Sequence, residues 1–337
     1  MKISVDGGGL CASEDQRFGN YTFSRNFLQA LNKYDKENEY FVYTFCNLNE
    51  GTEHCFVPTL FNKRIKFEKL LPKKFWMKGR VTLEEILNRK DIFFALNQAL
   101  PLYTSAKIIS FSHGLSFYFH PEYYPNDYHR LKNQLNEMLK RSQYIIVSSQ
   151  KVKNEIASLS LAMTEKIKIM PFGIPFDMED YVPHRREKYF MYVGMNTPVK
   201  NIDFLKQAFN KFNIKAEYKL YMIDSNIKRD ELRKMYAKAT GYLTASHYES
   251  FNFPVLEALS QKCPVIALKS AIIPEMEGYV DVVGDADLRP VHYKNEFVKK
   301  MIAIANGKHK KIDRIKLLKD FSWKNCINKL QNLYYYE

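Results

Sequence analysis

Hydrophobic positions in the first half of the chain alternate between short continuous runs and segments with one apolar face. The runs KISVD, EYFVYTF and YIIVSS predict buried strands. The segments TFSRNFLQALNKY and HRLKNQLNEMLKRS place apolar residues at helical spacing. Because strands that alternate with helices form parallel sheets covered on both faces, this half is predicted to be a doubly wound α/β domain.

The alternation stops at residues 171–188 and then starts again. This stretch, PFGIPFDMEDYVPHRREK, has three prolines and a run of charges, which predicts a linker with few buried positions. Strands such as YFMYVG and GYLTAS then alternate with helices such as IDFLKQAFNKF. The second half therefore repeats the α/β plan.

These patterns predict three parts of the chain. Residues 1–175 form a Rossmann-like domain, residues 176–320 form a second one, and residues 321–337 form a C-terminal helix. Two doubly wound domains are expected to face a central cleft. Ligands of such sheets bind beyond the carboxyl ends of the strands, so the loops after strands are the candidate sites.

Composition allows several partners. Lysine and arginine number 51 against 37 acidic residues, a net charge of +14. This balance favours an anionic partner, although general enrichment in lysine produces it equally well. The lysines are spread along the chain, and no zinc finger or ribonucleoprotein motif is visible, so we expect no nucleic acid partner.

The five cysteines are odd in number and lack a C-x-x-C pair, which predicts reduced thiols in a cytosolic protein and no zinc site. The chain opens directly on a strand, so we expect no signal peptide. No apolar run approaches the ~20 residues of a membrane span. The expected location is cytoplasmic, and any membrane contact is expected to be peripheral.

The segment ASHYESFNFPVLEAL, residues 245–259, contains two glutamates with seven residues between them, Glu249 and Glu257. It joins a predicted strand to a helix, because Pro254 suits a first helical position. Free N–H groups at such a junction favour an anion, and a carboxylate can accept hydrogen bonds from a sugar diol. From the residues alone, Glu257 as a complement to the helix dipole and Glu249 as a solvated loop residue remain an equal alternative.

The longer stretch SHYESFNFPVLEALSQKCPVIA resembles the E-x7-E signature of retaining GT-B glycosyltransferases of the family 4 type. Two glycines of that pattern are replaced here, by Asn252 and Lys262. The resemblance implies a GT-B fold whose C-terminal helix crosses back to the first domain. It implies that Glu249 faces the donor sugar and Glu257 holds the nucleotide ribose, with residues 251–253 (Phe251, Asn252 and Phe253) in the donor loop.

Other blocks resemble the same family in the same order. RFGNYT is similar to its first glycine loop and implies that Gly19 lets the backbone approach the donor phosphate. FSHGLSFYFHPEYY implies that His113 contacts the transferred sugar. YVGMNTPVKN implies that Gly194 and Lys200 contact the diphosphate, with Lys200 stabilising the leaving group. FSWKNCINKL resembles the closing helix.

Two departures from the family concern the donor. The arginine that usually stands beside the lysine is absent, because positions 195 and 199 are Met195 and Val199. A diphosphate is therefore expected to depend more on Lys200 or on Arg17. The short stretch between YKLYMID and RDELRKMY also indicates that a strand–helix unit is missing.

The predicted function is thus a retaining glycosyltransferase. We expect a nucleotide-sugar donor, GDP-mannose before a UDP-sugar, a glycan or lipid-linked glycan acceptor, same-face substitution and no cofactor or metal. The D-x-D pair Asp285 and Asp287 is interpreted as coincidence. The alternatives are a retaining glycosidase that uses the two glutamates, and a non-enzymatic basic protein that binds nucleic acid or a membrane surface.

Overall fold

The computed structural model describes residues 1–13, 17, 19–48, 61–159, 161–181, 183–213, 217–224, 227–284 and 290–335. The chain divides into two compact units. The first comprises Met1–Ser148, Val152–Phe172 and Trp323–Glu337, and the second comprises Ser149–Lys151 and Gly173–Ser322. The sequence predicts the corresponding boundaries after residues 175 and 320.

The first unit is built on a parallel sheet with strand order β3-β2-β1-β4-β5-β6-β7. The order reverses at β1, which lies between β2 and β4 and so creates a topological switch point. The strands are β1 (Lys2–Asp6), β2 (Glu39–Thr44), β3 (Ile65–Lys69), β4 (Ile92–Ala95), β5 (Lys107–Ser112), β6 (Tyr144–Val147) and β7 (Ile167–Ile169).

Helices cover this sheet and include the C-terminal helix. The apolar face of the first helix buries Phe23, Phe27 and Leu31. The indole of Trp323 in the last helix lies 6.2 Å from the Phe23 ring, so this helix packs in the first unit, as predicted. The helices are α1 (Gly19–Tyr34), α2 (Thr82–Leu87), α3 (Ser116–Phe119), α4 (Tyr128–Arg141), α5 (Gln150–Leu159) and, at the end of the chain, α11 (Trp323–Tyr335).

The second unit has a parallel sheet in the order β12-β11-β10-β8-β9, so its strand order reverses between β8 and β10. Its strands are β8 (Glu187–Val193), β9 (Lys219–Ile223), β10 (Ala239–Thr244), β11 (Val265–Leu268) and β12 (Asp281–Val283). Its helices are α6 (Ile202–Phe212), α7 (Arg229–Lys238), α8 (Phe253–Ser260), α9 (Pro290–Ala305) and α10 (Arg314–Asp320).

The boundary between the two units falls after Phe172, within the stretch 171–188, but the expectation that this stretch has few buried positions is wrong. Phe172, Ile174 and Met178 are buried, and the Phe172 ring stacks on Trp323 at 6.1 Å. The prolines interrupt regular structure here, but the apolar residues between them still pack in the core.

The expectation that all cysteines are reduced is also wrong. Cys11 and Cys46 form a disulfide with their Cα atoms 5.6 Å apart. They follow β1 and β2, which are paired in register, so a separation of 35 residues in sequence becomes proximity in space. Cys263 and Cys326 are free and buried, and Cys55 lies outside the described residues. The cytosolic expectation loses the support that it took from the cysteines.

Within the described part of the chain, no helix is both long and apolar enough to cross a membrane.

The two positions where glycines of the family pattern are replaced both adopt left-handed backbone conformations. Asn252 has φ 67° and Lys262 has φ 54°. Asparagine tolerates this region better than other residues, and the Asn252 side chain donates to the Ala271 carbonyl at 2.8 Å. Lysine does not share asparagine's tolerance of this region. The Lys262 ammonium lies 5.1 Å from the Tyr181 ring.

We expect Lys262→Gly to be more stable than Lys262→Ala by ~1 kcal/mol, because glycine alone escapes the steric cost of a Cβ at positive φ. Both substitutions remove the lysine side chain, so their difference isolates the backbone term. Urea unfolding followed by circular dichroism measures it. An alanine variant as stable as the glycine variant would contradict this account.

Candidate active site

Two loops meet at the switch point of the second sheet. Gly194 directly follows β8, and Lys200 ends a short 3₁₀ turn before α6. Glu249 lies in the loop between β10 and α8. The backbone N–H of His247 donates to the Val199 carbonyl at 2.8 Å and fastens the two loops together. Since ligands of open parallel sheets bind at such an edge, the loops define a candidate site.

Glu249 and Lys200, predicted from separate motifs, are brought together. The Lys200 ammonium donates to Glu249 Oε1 at 2.6 Å, and Ser246 Oγ donates to the same oxygen at 2.8 Å. Both side chains are mostly buried. Glu249 Oε2 has no hydrogen-bond partner among the described residues, so it is left to accept from a ligand hydroxyl. The Lys200 ammonium has three N–H groups, of which this pair uses one.

Gly194 is required by its neighbours as well as by its backbone. Its φ is +150°, and a Cβ added there would lie 2.6 Å from the hydroxyl oxygen of Tyr192. The Tyr192 side chain is buried, and its hydroxyl has no hydrogen-bond partner among the described residues. Burial, followed by the charge of Glu249, raises the pKa of Tyr192 and keeps it protonated. An unpartnered hydroxyl therefore lies beneath the loop predicted to contact the diphosphate, and sequence reasoning missed it.

Glu257 belongs to a different set of contacts from Glu249. It is buried in α8, where Oε1 accepts from Arg229 at 2.7 Å and Oε2 accepts from the Tyr236 hydroxyl at 3.2 Å. Arg229 also binds both carboxylate oxygens of Asp177, at 2.9 and 3.1 Å. One guanidinium thus joins a helix carboxylate to the segment that the sequence predicts to be a linker.

The carboxylates that contact Arg229 keep its guanidinium protonated. Burial opposes that charge, but the carboxylates of Glu257 and Asp177 outweigh burial and raise the pKa of Arg229 above its ordinary value. No signal in the sequence distinguishes this arginine, which opens α7 and is followed by the acidic residues Asp230 and Glu231. Only the tertiary structure shows that it holds Glu257.

We expect Arg229→Met to lower the free energy of unfolding of the second unit by ~3 kcal/mol, because it leaves the buried Glu257 carboxylate without its cation. Arg233→Met is the matched control, since Arg233 is on the same helix but pairs with the exposed Asp230 and Asp180, and it should cost less than ~1 kcal/mol. Denaturant unfolding measures both. Adding Glu257→Gln to Arg229→Met should recover part of the loss. Equal losses in the two arginine variants would contradict the assignment.

The predicted donor loop directs its side chains inward. Phe251 and Phe253 are buried with their ring centroids 5.0 Å apart, and Asn252 is buried beside Thr244 and Ala271. Contacts of these three residues with a donor remain a prediction, and any such contact would come from the main chain.

His113 lies at the end of β5 in the first unit. Its Nε2 donates to the Leu96 carbonyl at 2.6 Å, and its ring lies 4.8 Å from that of Phe23. Because a carbonyl only accepts, Nε2 carries the proton and Nδ1 is an acceptor. Burial lowers the pKa of His113 to about 4, although the Leu96 carbonyl opposes this shift. The imidazole is therefore neutral near pH 7.

The lowered pKa of His113 predicts a pH dependence of stability. The unfolded chain takes up the proton near pH ~6.5, before the folded chain does, so stability falls as the pH drops from there towards 4. We expect His113→Gln to flatten this dependence, and His129→Gln, at an exposed position of α4, to leave it unchanged. Thermal unfolding midpoints between pH 4 and 7 test this. An unchanged slope in the His113 variant would show that the ring titrates normally.

The remaining residues singled out from the sequence are Gly19, Arg17, Asp285 and Asp287. Gly19 opens α1 and is exposed, and an added Cβ would meet no atom within 4 Å, so the space beside it is open. The Arg17 guanidinium lies over the Tyr21 ring at 5.3 Å. Asp285 and Asp287 lie outside the described residues. Within the described ranges, no group of three or more histidine, cysteine, aspartate or glutamate residues is arranged to hold a metal ion.

Comparisons with known proteins agree with this fold. No protein-family profile matches the chain. The O-antigen chain mannosyltransferase B of Escherichia coli is 25% identical over an alignment of 288 positions, which covers 72% of this chain and 74% of the relative. Among solved structures, sucrose-phosphate synthase from Thermosynechococcus elongatus superposes with a TM-score of 0.72 at 17% identity, covering 99% and 98% of the two chains. Anabaena HepE in complex with UDP-glucose gives 0.69 at 11% identity, covering 99% of each.

The two doubly wound sheets and these likenesses define the fold. The chain has the GT-B fold, as its motifs predict, and the relative that it resembles is named a mannosyltransferase. The relatives and structural neighbours are consistent with the family 4 type.

Proposed function

We propose that this chain is a retaining glycosyltransferase that moves a hexose from a nucleotide-sugar donor to a glycan or lipid-linked glycan. The observation that carries the proposal is the Lys200–Glu249–Ser246 cluster at the switch point of the second sheet. It joins a fixed cation to a carboxylate with a free oxygen, which are the two groups that a departing diphosphate and a transferred sugar require.

Each group of the cluster has a role in the proposed reaction. The two unused N–H groups of Lys200 bind a diphosphate oxygen and stabilise the charge that develops as the bond to the sugar breaks. Glu249 Oε2 accepts from a hydroxyl of the sugar and positions its anomeric carbon. The acceptor oxygen attacks the face from which the nucleotide leaves and gives its proton to the departing phosphate oxygen. The fixed cation makes a metal ion unnecessary in this proposal.

Glu257 serves the nucleotide in the proposed complex. Its carboxylate keeps lone pairs beyond those used by Arg229 and Tyr236, and these accept from the ribose hydroxyls. His113 contacts the transferred sugar as a neutral ring, with no part in proton transfer near pH 7.

GDP-mannose is the first donor to test, because the Escherichia coli relative is named a mannosyltransferase. UDP-sugars come second, because HepE was solved with UDP-glucose. A glycosidase is less well supported, since Glu257 is buried with Arg229 and shares no partner with Glu249 among the described residues, whereas glycosidases need two carboxyl groups flanking one bond.

The proposal is tested by screening nucleotide sugars by thermal shift, then measuring nucleotide release with and without oligosaccharide or lipid-linked acceptors. We expect Glu249→Gln to lower kcat ~100-fold while donor binding persists. Glu231→Gln, at an exposed position of α7, is the matched control. Turnover should persist after chelation of divalent cations. Full activity of the Glu249 variant would exclude this site, and strict metal dependence would exclude the metal-free mechanism.

A further inference from the structure

Helix α2 in the first unit is oriented with one of its two glutamates inward and its apolar residues outward. Glu85 is fully buried, where it accepts from the Tyr43 hydroxyl at 2.9 Å and from Thr104 Oγ1 at 2.6 Å. Leu83, Ile86 and Leu87 are exposed, the last by 67%. Because residues three and four apart share one helix face, these side chains form one outward apolar face.

This face continues onto neighbouring segments. The backbone N–H of Leu102 donates to Thr82 Oγ1 at 2.8 Å, which places Leu102 (64% exposed) and the exposed Tyr103 beside the start of α2. The π-helical segment Trp76–Val81 runs directly into the start of α2, and Phe75 before it is 73% exposed. We call the side chains of Phe75, Leu83, Ile86, Leu87, Leu102 and Tyr103 the apolar surface.

The residues beneath the apolar surface are packed in the hydrophobic core of the first unit. Trp76 and Val81 are buried in a cluster with Phe93 and Leu100. The Phe75 carbonyl accepts from the Gly79 N–H at 2.6 Å, which fixes the turn that carries Phe75. The outward direction of these side chains is therefore held by the fold. Exposed apolar side chains grouped in this way mark an interaction site in soluble proteins.

Cations surround the apolar surface. Lys73 and Lys74 are exposed beside Phe75, with the Lys74 ammonium 5.7 Å from its ring, and Arg89 is exposed just after α2. Residues 71–90 contain six lysines and arginines against two glutamates, and of these Lys90 and Glu85 are buried. Lys78 pairs with Glu137 outside this segment.

We propose that the apolar surface, with its adjoining cations, binds the surface of an anionic lipid bilayer. Apolar side chains enter the boundary between headgroups and acyl chains while lysines contact anionic headgroups, as in other peripheral proteins. A second copy of this chain fits less well, because a two-fold contact would bring the same cations face to face. The inference goes beyond the transfer reaction, since it involves none of the candidate active-site residues.

The test is co-sedimentation of the full chain with vesicles of phosphatidylglycerol and phosphatidylcholine, beside vesicles of phosphatidylcholine alone. We expect the double variant Phe75→Ser/Leu87→Ser to weaken binding to anionic vesicles ~10-fold. Ile315→Ser is the matched control, because Ile315 is 84% exposed on α10 in the second unit, and it should leave binding unchanged. Unfolding midpoints confirm that each variant is folded.

The charge contribution is tested by Lys73→Gln/Lys74→Gln against Lys308→Gln/Lys311→Gln, a pair at exposed positions of the second unit. Only the first pair should weaken binding, and added salt should weaken it further. Equal binding of wild type and the serine double variant would overturn the proposal, as would equal binding to uncharged vesicles. A dimer that the serine substitutions dissociate, together with no vesicle binding, would assign the surface to a second copy instead.

Discussion

Strands β8 and β10 are direct neighbours in the second sheet, with Phe190 opposite Gly241 and Met191 opposite Tyr242. Because both run in the same direction, their carboxyl ends meet at one edge, and the loops that follow them must share that edge. Lys200 and Glu249 form an ion pair for this reason, although 49 residues separate them. Helices α6 and α8 begin just beyond these loops, so the geometry of the candidate site follows from the pairing of two strands.

The site then depends on charges that are paired in advance. A buried carboxylate without a cation is costly, and the chain provides Lys200 for Glu249 and Arg229 for Glu257. These pairs hold the two cations in place before any ligand arrives. An arrangement that needs little reorganisation when charge develops is the kind that stabilises a departing anion most effectively. The net charge of +14 therefore matters less for the site than the position of two particular cations.

Sequence patterns predicted the parts of this structure that depend on local order. The alternation of strands and helices indicated two doubly wound units, and Pro254 after a predicted strand indicated the strand–helix junction that contains Glu249. Those patterns could not predict contacts between segments that are distant in sequence. Asp177 lies 52 residues from Arg229, and Cys11 lies 35 from Cys46, so neither pairing has a local signature. Proline spacing likewise suggested an exposed linker, whereas Phe172 and Met178 fill core positions that appear only once the units have folded.

The replaced glycines show why a departure from a family pattern need not alter a site. Asn252 immediately precedes α8, and its left-handed backbone turns the chain from the Glu249 loop into the helix that carries Glu257. This position requires a positive φ, which asparagine tolerates. The Asn252 side-chain amide also donates a hydrogen bond to the Ala271 carbonyl. Lys262 meets the same demand after α8, and its carbonyl accepts from Arg186. Because both residues adopt the positive φ that these positions require, the chain enters and leaves α8 along this path without glycine at either position.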